Sequence, residues 1–213
     1  MDFLDSKIQD YADKYTSPEN DVLRELNEET HANVASPNML SGHIQGRILA
    51  MISKMIKPKY ILEIGTYTGY SAICLCEGLE FGGKLYTIDI NSEMEAINKK
   101  YFDKAGVAGK IKKLTGNALE LIPKIDHKFD LVFIDADKTN YANYYDMVFD
   151  KINAGGIILA DNVLWSGKIL LDEKEMDDDT KALSKFNEKI MNDNRVENIL
   201  LPVRDGLMVI RKK

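Results

Sequence analysis

The sequence is poor in cysteine, histidine and tryptophan, with two, three and one of these residues among 213. Cys74 and Cys76 lie two positions apart on a predicted helix and point to different faces, where a disulfide between them would be strained. A metal site would need further ligands beside these two thiols. We therefore expect both cysteines to be buried and reduced.

The chain also lacks long apolar runs and an excess of positive charge. No apolar run is long enough to span a membrane, and the first residues, MDFLDSK, lack the basic and apolar regions of a signal peptide. We therefore expect a cytoplasmic protein with no membrane partner. The formal net charge of −6 disfavours a nucleic-acid partner, since such proteins usually carry a basic surface.

What the sequence does contain is the composition of one soluble globular domain covering residues 1–213, with 45% hydrophobic and 29% charged residues. From residue 60 onward, apolar strands alternate with amphipathic helices, which is typical of a doubly wound α/β sheet. The predicted strands are 60–64, 84–90, 110–115, 129–134 and 155–160, followed by a hairpin of 196–202 and 206–211. The predicted helices are 6–15, 18–31, 41–56, one that begins at Tyr70, 92–104, 118–124, 140–150 and 179–192. The irregular interval 163–178 is expected to form a loop over the site.

One stretch, Tyr60–Ile64 with the residues that follow it, organises the chain. A buried strand stops at Gly65, Gly69 closes a tight turn, and a helix then begins. Glycines let the backbone approach a ligand, and a helix start offers free N–H groups, so the stretch is suited to hold a nucleotide. Glu63 would be costly to bury at a strand end unless it accepts hydrogen bonds from a ligand.

The sequence of this stretch, LEIGTYTGYSA, resembles motif I of the class I S-adenosylmethionine-dependent methyltransferases. It is most similar to the cation-dependent O-methyltransferases, which include catechol and caffeoyl-CoA methyltransferases, and the resemblance extends from about Met39 to Arg211. It implies a Rossmann-like class I methyltransferase fold: a mostly parallel seven-stranded sheet, an antiparallel C-terminal strand and extra N-terminal helices. It also implies S-adenosyl-L-methionine as co-substrate.

The cofactor residues follow from the same resemblance, except that Asp89 also stands at the spacing at which an acid holds ribose hydroxyls. Asn117 departs from the family's usual aspartate beside the adenine. His43 replaces another family residue, and we expect it to cap its own helix, with a place at the substrate mouth as the alternative. The predicted cofactor-binding residues are Ser41, Glu63, Gly65, Thr66, Ser71, Asp89, Ala118 and Asp135.

Polar residues end several of the predicted strands, and ligands of open α/β sheets bind outside those carboxyl ends. Asp135, Asp161 and Asn162 form an all-oxygen set, which suits Mg²⁺ or another divalent cation such as Mn²⁺ or Ca²⁺. The corresponding residues are the metal ligands in the family that the chain resembles. Caps and turn residues are the alternative interpretation of this set.

Lys138 follows Asp135 by three positions, so both can face one pocket. The resemblance places the catalytic lysine here. Beside a divalent cation an ammonium group is disfavoured, so the lysine can act as a base.

The leading hypothesis is therefore a Mg²⁺-dependent O-methyltransferase that moves a methyl group from S-adenosylmethionine to a small catechol-like phenol. One alternative is the same reaction on a hydroxylated uridine of tRNA, and another is a non-catalytic cofactor-binding protein. Proteins that resemble this chain are often dimers, so we expect a homodimer formed through the N-terminal helices.

Overall fold

The computed structural model describes residues 5–213. Residues 1–4, which begin the segment expected to lack a signal peptide, lie outside the described residues. The helices are α1 Ser6–Lys14, α2 Asp21–Asn33, α3 Gly42–Ile56, α4 Tyr70–Cys76, α5 Glu95–Lys104, α6 Ala118–Leu121, α7 Tyr141–Phe149 and α8 Asp178–Met191. The strands are β1 Tyr60–Ile64, β2 Lys84–Asp89, β3 Ile111–Thr115, β4 Phe129–Ile134, β5 Ile152–Asp161, β6 Val196–Leu201 and β7 Leu207–Lys212.

The strands form one seven-stranded sheet in the order β3-β2-β1-β4-β5-β7-β6. The first five strands pair in parallel, and β7 runs antiparallel to both of its neighbours, β5 and β6. The predicted sheet, with its C-terminal hairpin and antiparallel last strand, is thereby confirmed.

Apolar side chains cover both faces of the central strands. Leu131 and Phe133 of β4 belong to the core cluster that includes α2 to α4, whereas Val132 and Ile134 belong to the cluster that includes α7 and α8. Because successive strand residues point to opposite faces, a continuous apolar run buries both sides of the sheet. Cys74 and Cys76 are buried and free, as expected.

Several element boundaries differ from the prediction, and two of these differences have a local reason in the structure. We expected the second helix to begin at Pro18, but α2 begins at Asp21, because the Asn20 side chain caps it by accepting a hydrogen bond from the Leu23 N–H at 2.9 Å. We expected the fifth strand at 155–160, but β5 begins at Ile152. Its pairing with β4 shifts register between Phe129 and Leu131, so the glycines lie inside the strand, at the bulge, and do not start it.

The N-terminal helices differ in how much of their surface is buried against this core. Leu23 and Leu26 of α2 and Leu49 and Ala50 of α3 are buried, whereas α1 has no buried residue. No helix in the stretch from residue 5 to 213 combines the length and the apolarity needed to cross a membrane.

Candidate active site

Strand register brings the predicted site residues together at one edge of the sheet. Ile64 pairs with Ile134, and Ile134 pairs with Ala160, so the residues that follow these strands are neighbours. The Asp135 N–H donates to the Ile64 carbonyl at 2.8 Å, which continues the β1–β4 ladder by one residue. Asp135 and Asp161 therefore stand side by side where β4 and β5 end.

The turn after β1 lies tightly against this edge. Gly65 has φ +101°, and a Cβ atom at this position would lie 1.8 Å from the Asp135 carbonyl oxygen. The backbone N–H groups of Thr66 and Tyr67 both donate to Asp89 Oδ2, at 2.9 and 2.8 Å. Asp89, at the end of β2, thus fixes the conformation of the glycine turn.

A cavity of about 1420 Å³ opens above these strand ends. That volume exceeds the 300–1,000 Å³ of a typical ligand pocket and leaves room for a nucleoside cofactor together with an acceptor. The predicted residues that line it are Ser41, Gly65, Thr66, Ser71, Asp89, Ala118, Asp135, Lys138, Asp161 and Asn162.

Glu63 is the predicted site residue that does not line the cavity. Its side chain is fully buried, and Oε2 accepts a hydrogen bond from the Thr87 hydroxyl at 2.5 Å. Burial raises the pKa of the Glu63 carboxyl to about 8, although the Thr87 hydrogen bond acts in the opposite direction. Its Oε1 has no hydrogen-bond partner among the described residues, and a contact of Glu63 with the cofactor stays a prediction.

Lys138 lies at the centre of the oxygen-rich part of the cavity. It begins the short 3₁₀ helix Lys138–Asn140, and only 7% of its surface is exposed. Its Nζ donates to Asp135 Oδ1 at 3.1 Å, to Asn162 Oδ1 at 2.9 Å and to the Tyr141 hydroxyl at 2.6 Å. All three ammonium protons therefore have acceptors.

Asp161 is almost fully buried at the end of β5. Burial raises the pKa of its carboxyl to about 7, and the charge of Asp135 adds to this effect. The Gln45 amide donates to Asp161 Oδ2 at 2.6 Å, and the Tyr141 hydroxyl donates to the Asp161 carbonyl at 2.9 Å. The next residue, Asn162, has φ +58°, a left-handed conformation that needs support from its surroundings.

The residues around Lys138 fit a hard cation. The oxygens of Asp135 and Asn162 already converge on one positively charged group, and the set of two carboxylates and an amide contains only oxygen donors. Between residues 5 and 213 no group of three or more His, Cys, Asp or Glu residues is placed to hold a metal ion. A cation here would therefore depend on the Asn162 amide and on oxygens from water or substrate.

Sequence reasoning assigned no role to several residues that line the cavity, namely Gln45, Tyr144, Trp165 and Arg204. Gln45 and Arg204 come from α3 and from the β6–β7 turn, outside the parallel strand ends on which the prediction concentrated. Trp165 lies in the loop after β5, 5.7 Å from Lys138 Nζ to the ring centroid. The sequence pointed to Trp165 only through its position in the interval 163–178, which was expected to lie over the site.

Two departures from the family pattern have structural roles. His43 does not cap its own helix as expected. Its ring nitrogens contact Asp13 Oδ1 and the Ser17 carbonyl oxygen, each at 2.8 Å, and so connect α3 to the last turn of α1 and to the segment that follows it. Asn117 caps α6 by accepting from the Leu119 N–H at 2.9 Å, and it also lines the cavity.

Comparison with known proteins gives concordant matches over nearly the whole chain. A sequence model of the family described as O-methyltransferase matches residues 13–213. A caffeoyl-CoA O-methyltransferase from Stellaria longipes is 33% identical over 204 residues, which cover 91% of this chain and 84% of that protein.

Solved structures agree with the sequence matches. The crystal structure of a Podospora anserina methyltransferase with SAH bound has a TM-score of 0.89 and 32% identity, covering 98% of this chain and 94% of that one. An O-methyltransferase from Bacillus cereus in complex with SAH has a TM-score of 0.88 and 27% identity, with 97% of each chain covered.

Proposed function

From the premise that this chain belongs to the O-methyltransferase family, we propose that it methylates one hydroxyl of a small catechol-like phenol with the help of a divalent cation, Mg²⁺ first. That it is an S-adenosylmethionine-dependent O-methyltransferase of the caffeoyl-CoA type rests on the family match and on the SAH-bound neighbours. What we propose beyond this is the dependence on a divalent cation and the class of methyl acceptor. The observation that carries it is the convergence of Asp135, Asn162 and Lys138 in one cavity with the predicted cofactor residues.

Asp135, Asp161 and Asn162 would hold the cation. When bound, a divalent cation supplies Lewis acidity, which lowers the pKa of a phenolic hydroxyl beside it. A catechol offers two adjacent oxygens, which could complete the oxygen set that these residues leave incomplete. A phenol with one hydroxyl would supply fewer ligands and should be a poorer acceptor.

Lys138 is the group that takes the proton. In the structure its Nζ donates to two of the proposed cation ligands, Asp135 and Asn162. Once those oxygens are engaged elsewhere, the ammonium loses two of its three acceptors and its charged form is disfavoured. Lys138 can then accept the proton of the acceptor hydroxyl at Nζ.

The remaining contribution of the chain is orientation. S-adenosylmethionine already carries an activated methyl group, so the protein has to align an oxygen with it and exclude water. Alignment of this kind can contribute up to roughly 7–11 kcal/mol, more than a single positioned base. The buried Asp161 and Lys138 at the strand ends are suited to fix the acceptor on a rigid part of the fold.

The proposal is tested by measuring methyl transfer from labelled S-adenosylmethionine to catechol, to phenol and to bulk tRNA in parallel. We expect catechol to be methylated, phenol to react far more slowly, and tRNA to remain unlabelled, as the acidic net charge of −6 suggests. Labelling of tRNA alone would assign the hydroxylated uridine as acceptor and would refute the phenolic substrate.

A further inference from the structure

Gln45 makes the shortest hydrogen bond to the proposed cation ligands from outside the sheet. Its Nε2 donates to Asp161 Oδ2 at 2.6 Å, and each residue has only 4% of its surface exposed. A buried carboxylate that accepts a hydrogen bond from a fixed donor loses rotational freedom about its terminal torsion. From this contact we infer that Gln45 is a positioning residue for the cation, holding one oxygen of Asp161 so that Oδ1 is left for the ion.

The position of Gln45 is itself fixed by close packing of α3 on α4. At the next residue, Gly46, a Cβ atom would lie 2.6 Å from Cε1 of Tyr70 and 2.9 Å from Sγ of Cys74, so the two helices approach as closely as a glycine permits. Gln45 also precedes a buried apolar face formed by Leu49 and Ala50. The donor that reaches Asp161 therefore comes from a rigid part of the helix.

A neutral hydrogen-bond donor at position 45 is suited to orienting the Asp161 carboxylate. When deprotonated, Asp135 and Asp161 supply the charge that would attract a divalent cation, and Lys138 already contacts Asp135. A second cationic side chain at position 45 would compensate that charge and compete with the ion, whereas the glutamine amide directs a dipole at Oδ2 without adding charge. Gln45 can thus orient the ligand without weakening the electrostatic attraction.

This inference rests on the proposed function, since it presupposes a cation at Asp135, Asp161 and Asn162. Two other roles for Gln45 would have different consequences. If the side chain only fills space in the core, its loss should change thermal stability and leave cation affinity unaltered. If it contacts the acceptor, its loss should raise the KM for the acceptor and again leave cation affinity unaltered.

The test is binding of Mn²⁺, followed by its electron paramagnetic resonance signal, to the full chain with SAH present and no acceptor. Gln45→Met keeps the length of the side chain and removes the amide, and Gln45→Ala is the second variant. The matched control is Ser53→Ala on the same helix, which removes another buried donor, the hydroxyl that bonds the Leu75 carbonyl at 2.6 Å away from the cavity. Thermal unfolding of each variant shows whether it is folded.

We expect the Mn²⁺ dissociation constant to rise about 10–100-fold in both Gln45 variants, the usual effect of losing a residue that orients a metal ligand. Ser53→Ala should leave it within about twofold. Unchanged Mn²⁺ affinity in folded Gln45→Met or Gln45→Ala, with wild-type protein binding normally, would overturn the role of Gln45 alone. If wild-type protein itself binds no Mn²⁺, the cation in the proposed function is refuted, and this inference with it.

Discussion

At the scale of single residues, the proposed reaction depends most on Lys138, the group proposed to accept the proton of the acceptor hydroxyl. Its Nζ lies within hydrogen-bond distance of three acceptors, on Asp135, Asn162 and Tyr141. Tyr141 is fully buried, and burial raises the pKa of its hydroxyl well above the ordinary value, which keeps this partner neutral. The high pKa of Tyr141 excludes it as a base near neutral pH, and Lys138 stays the proposed base.

The first prediction concerns Lys138 as a base. Lys138→Ala should lower kcat by roughly 10²–10⁴-fold, the usual contribution of a positioned acid or base. The loss should shrink at high pH, where the phenol ionises without help, and Lys138→Arg should recover little activity because a guanidinium hardly ever releases its proton. The measurement is kcat against pH for the three proteins with one catechol, and coincident curves would make Lys138 a bystander.

The second prediction concerns Glu63, whose carboxyl pKa is about 8 in the fold against an ordinary value of 4.5. A raised pKa means that the folded protein holds this proton more tightly than the unfolded chain does. Its stabilising contribution is therefore complete below about pH 4.5 and is lost as pH rises through about 8. Glu63→Gln keeps the neutral form at every pH, so without cofactor its melting temperature should increasingly exceed that of wild type between pH 5 and 9.

Thermal melts of wild type and Glu63→Gln across this pH range check the sign. Glu188→Gln, at an exposed glutamate of α8, is the control and should follow wild type at each pH. Parallel profiles for Glu63→Gln and wild type would contradict the buried, protonated carboxyl.

At the scale of elements, the site depends on how the turn after β1 meets the end of β4. The Asp135 carbonyl oxygen occupies the place where any side chain at position 65 would begin. The two elements cannot separate without breaking the hydrogen bond from the Asp135 N–H to Ile64. A shift of the glycine turn would therefore also displace Asp135, the proposed cation ligand.

The third prediction follows from this contact. Gly65→Ala would place a Cβ atom 1.8 Å from the Asp135 carbonyl oxygen and should displace the turn, lowering SAH affinity and thermal stability together. Gly106→Ala is the matched control, because Gly106 also has positive φ, +67°, but nothing lies within 4 Å of its Cβ position. Calorimetric titration with SAH and thermal melts should show a larger loss for Gly65→Ala, and equal effects would mean that backbone strain alone is responsible.

The strand ends and α3 show which parts of the site could be predicted from the sequence and which could not. The strand ends that carry Asp89, Asp135 and Asp161 were predictable, because a buried apolar run and the acid after it are local signals. Gln45 was assigned no role and the predicted role of His43 was wrong, because their partners are 116 and 30 positions away in the sequence. Glu63 was placed at the right strand end, but strand alternation turns it towards Thr87 inside the fold and not into the cavity.

At the scale of the whole molecule, α1 presents an exposed apolar surface. Ile8, Tyr11 and Tyr15 project from α1 and its C-terminal end with more than half of their surface exposed, and no residue of α1 is buried. An amphipathic helix whose apolar side chains face solvent is typical of an interaction surface. We therefore keep the expectation of a two-fold homodimer through the N-terminal helices.

The fourth prediction is that light scattering at micromolar concentration gives twice the chain mass of 24.1 kDa. Tyr11→Lys should shift the mass toward that of a single chain, because it places a charge in the proposed interface. Phe81→Lys is the control, since Phe81 is a fully exposed aromatic residue in the turn between α4 and β2. A single-chain mass for wild type would contradict the dimer.

The whole account depends on cation-dependent methyl transfer at the ends of β4 and β5, and one measurement tests it most directly. Methylation of a catechol is followed for wild type and Asp161→Ala, first in EDTA and then with Mg²⁺ added in excess, while SAH binding is measured on the same samples. We predict that wild type is inactive in EDTA and recovers with Mg²⁺, and that Asp161→Ala stays inactive although it still binds SAH. Full activity of wild-type protein in EDTA would contradict the account.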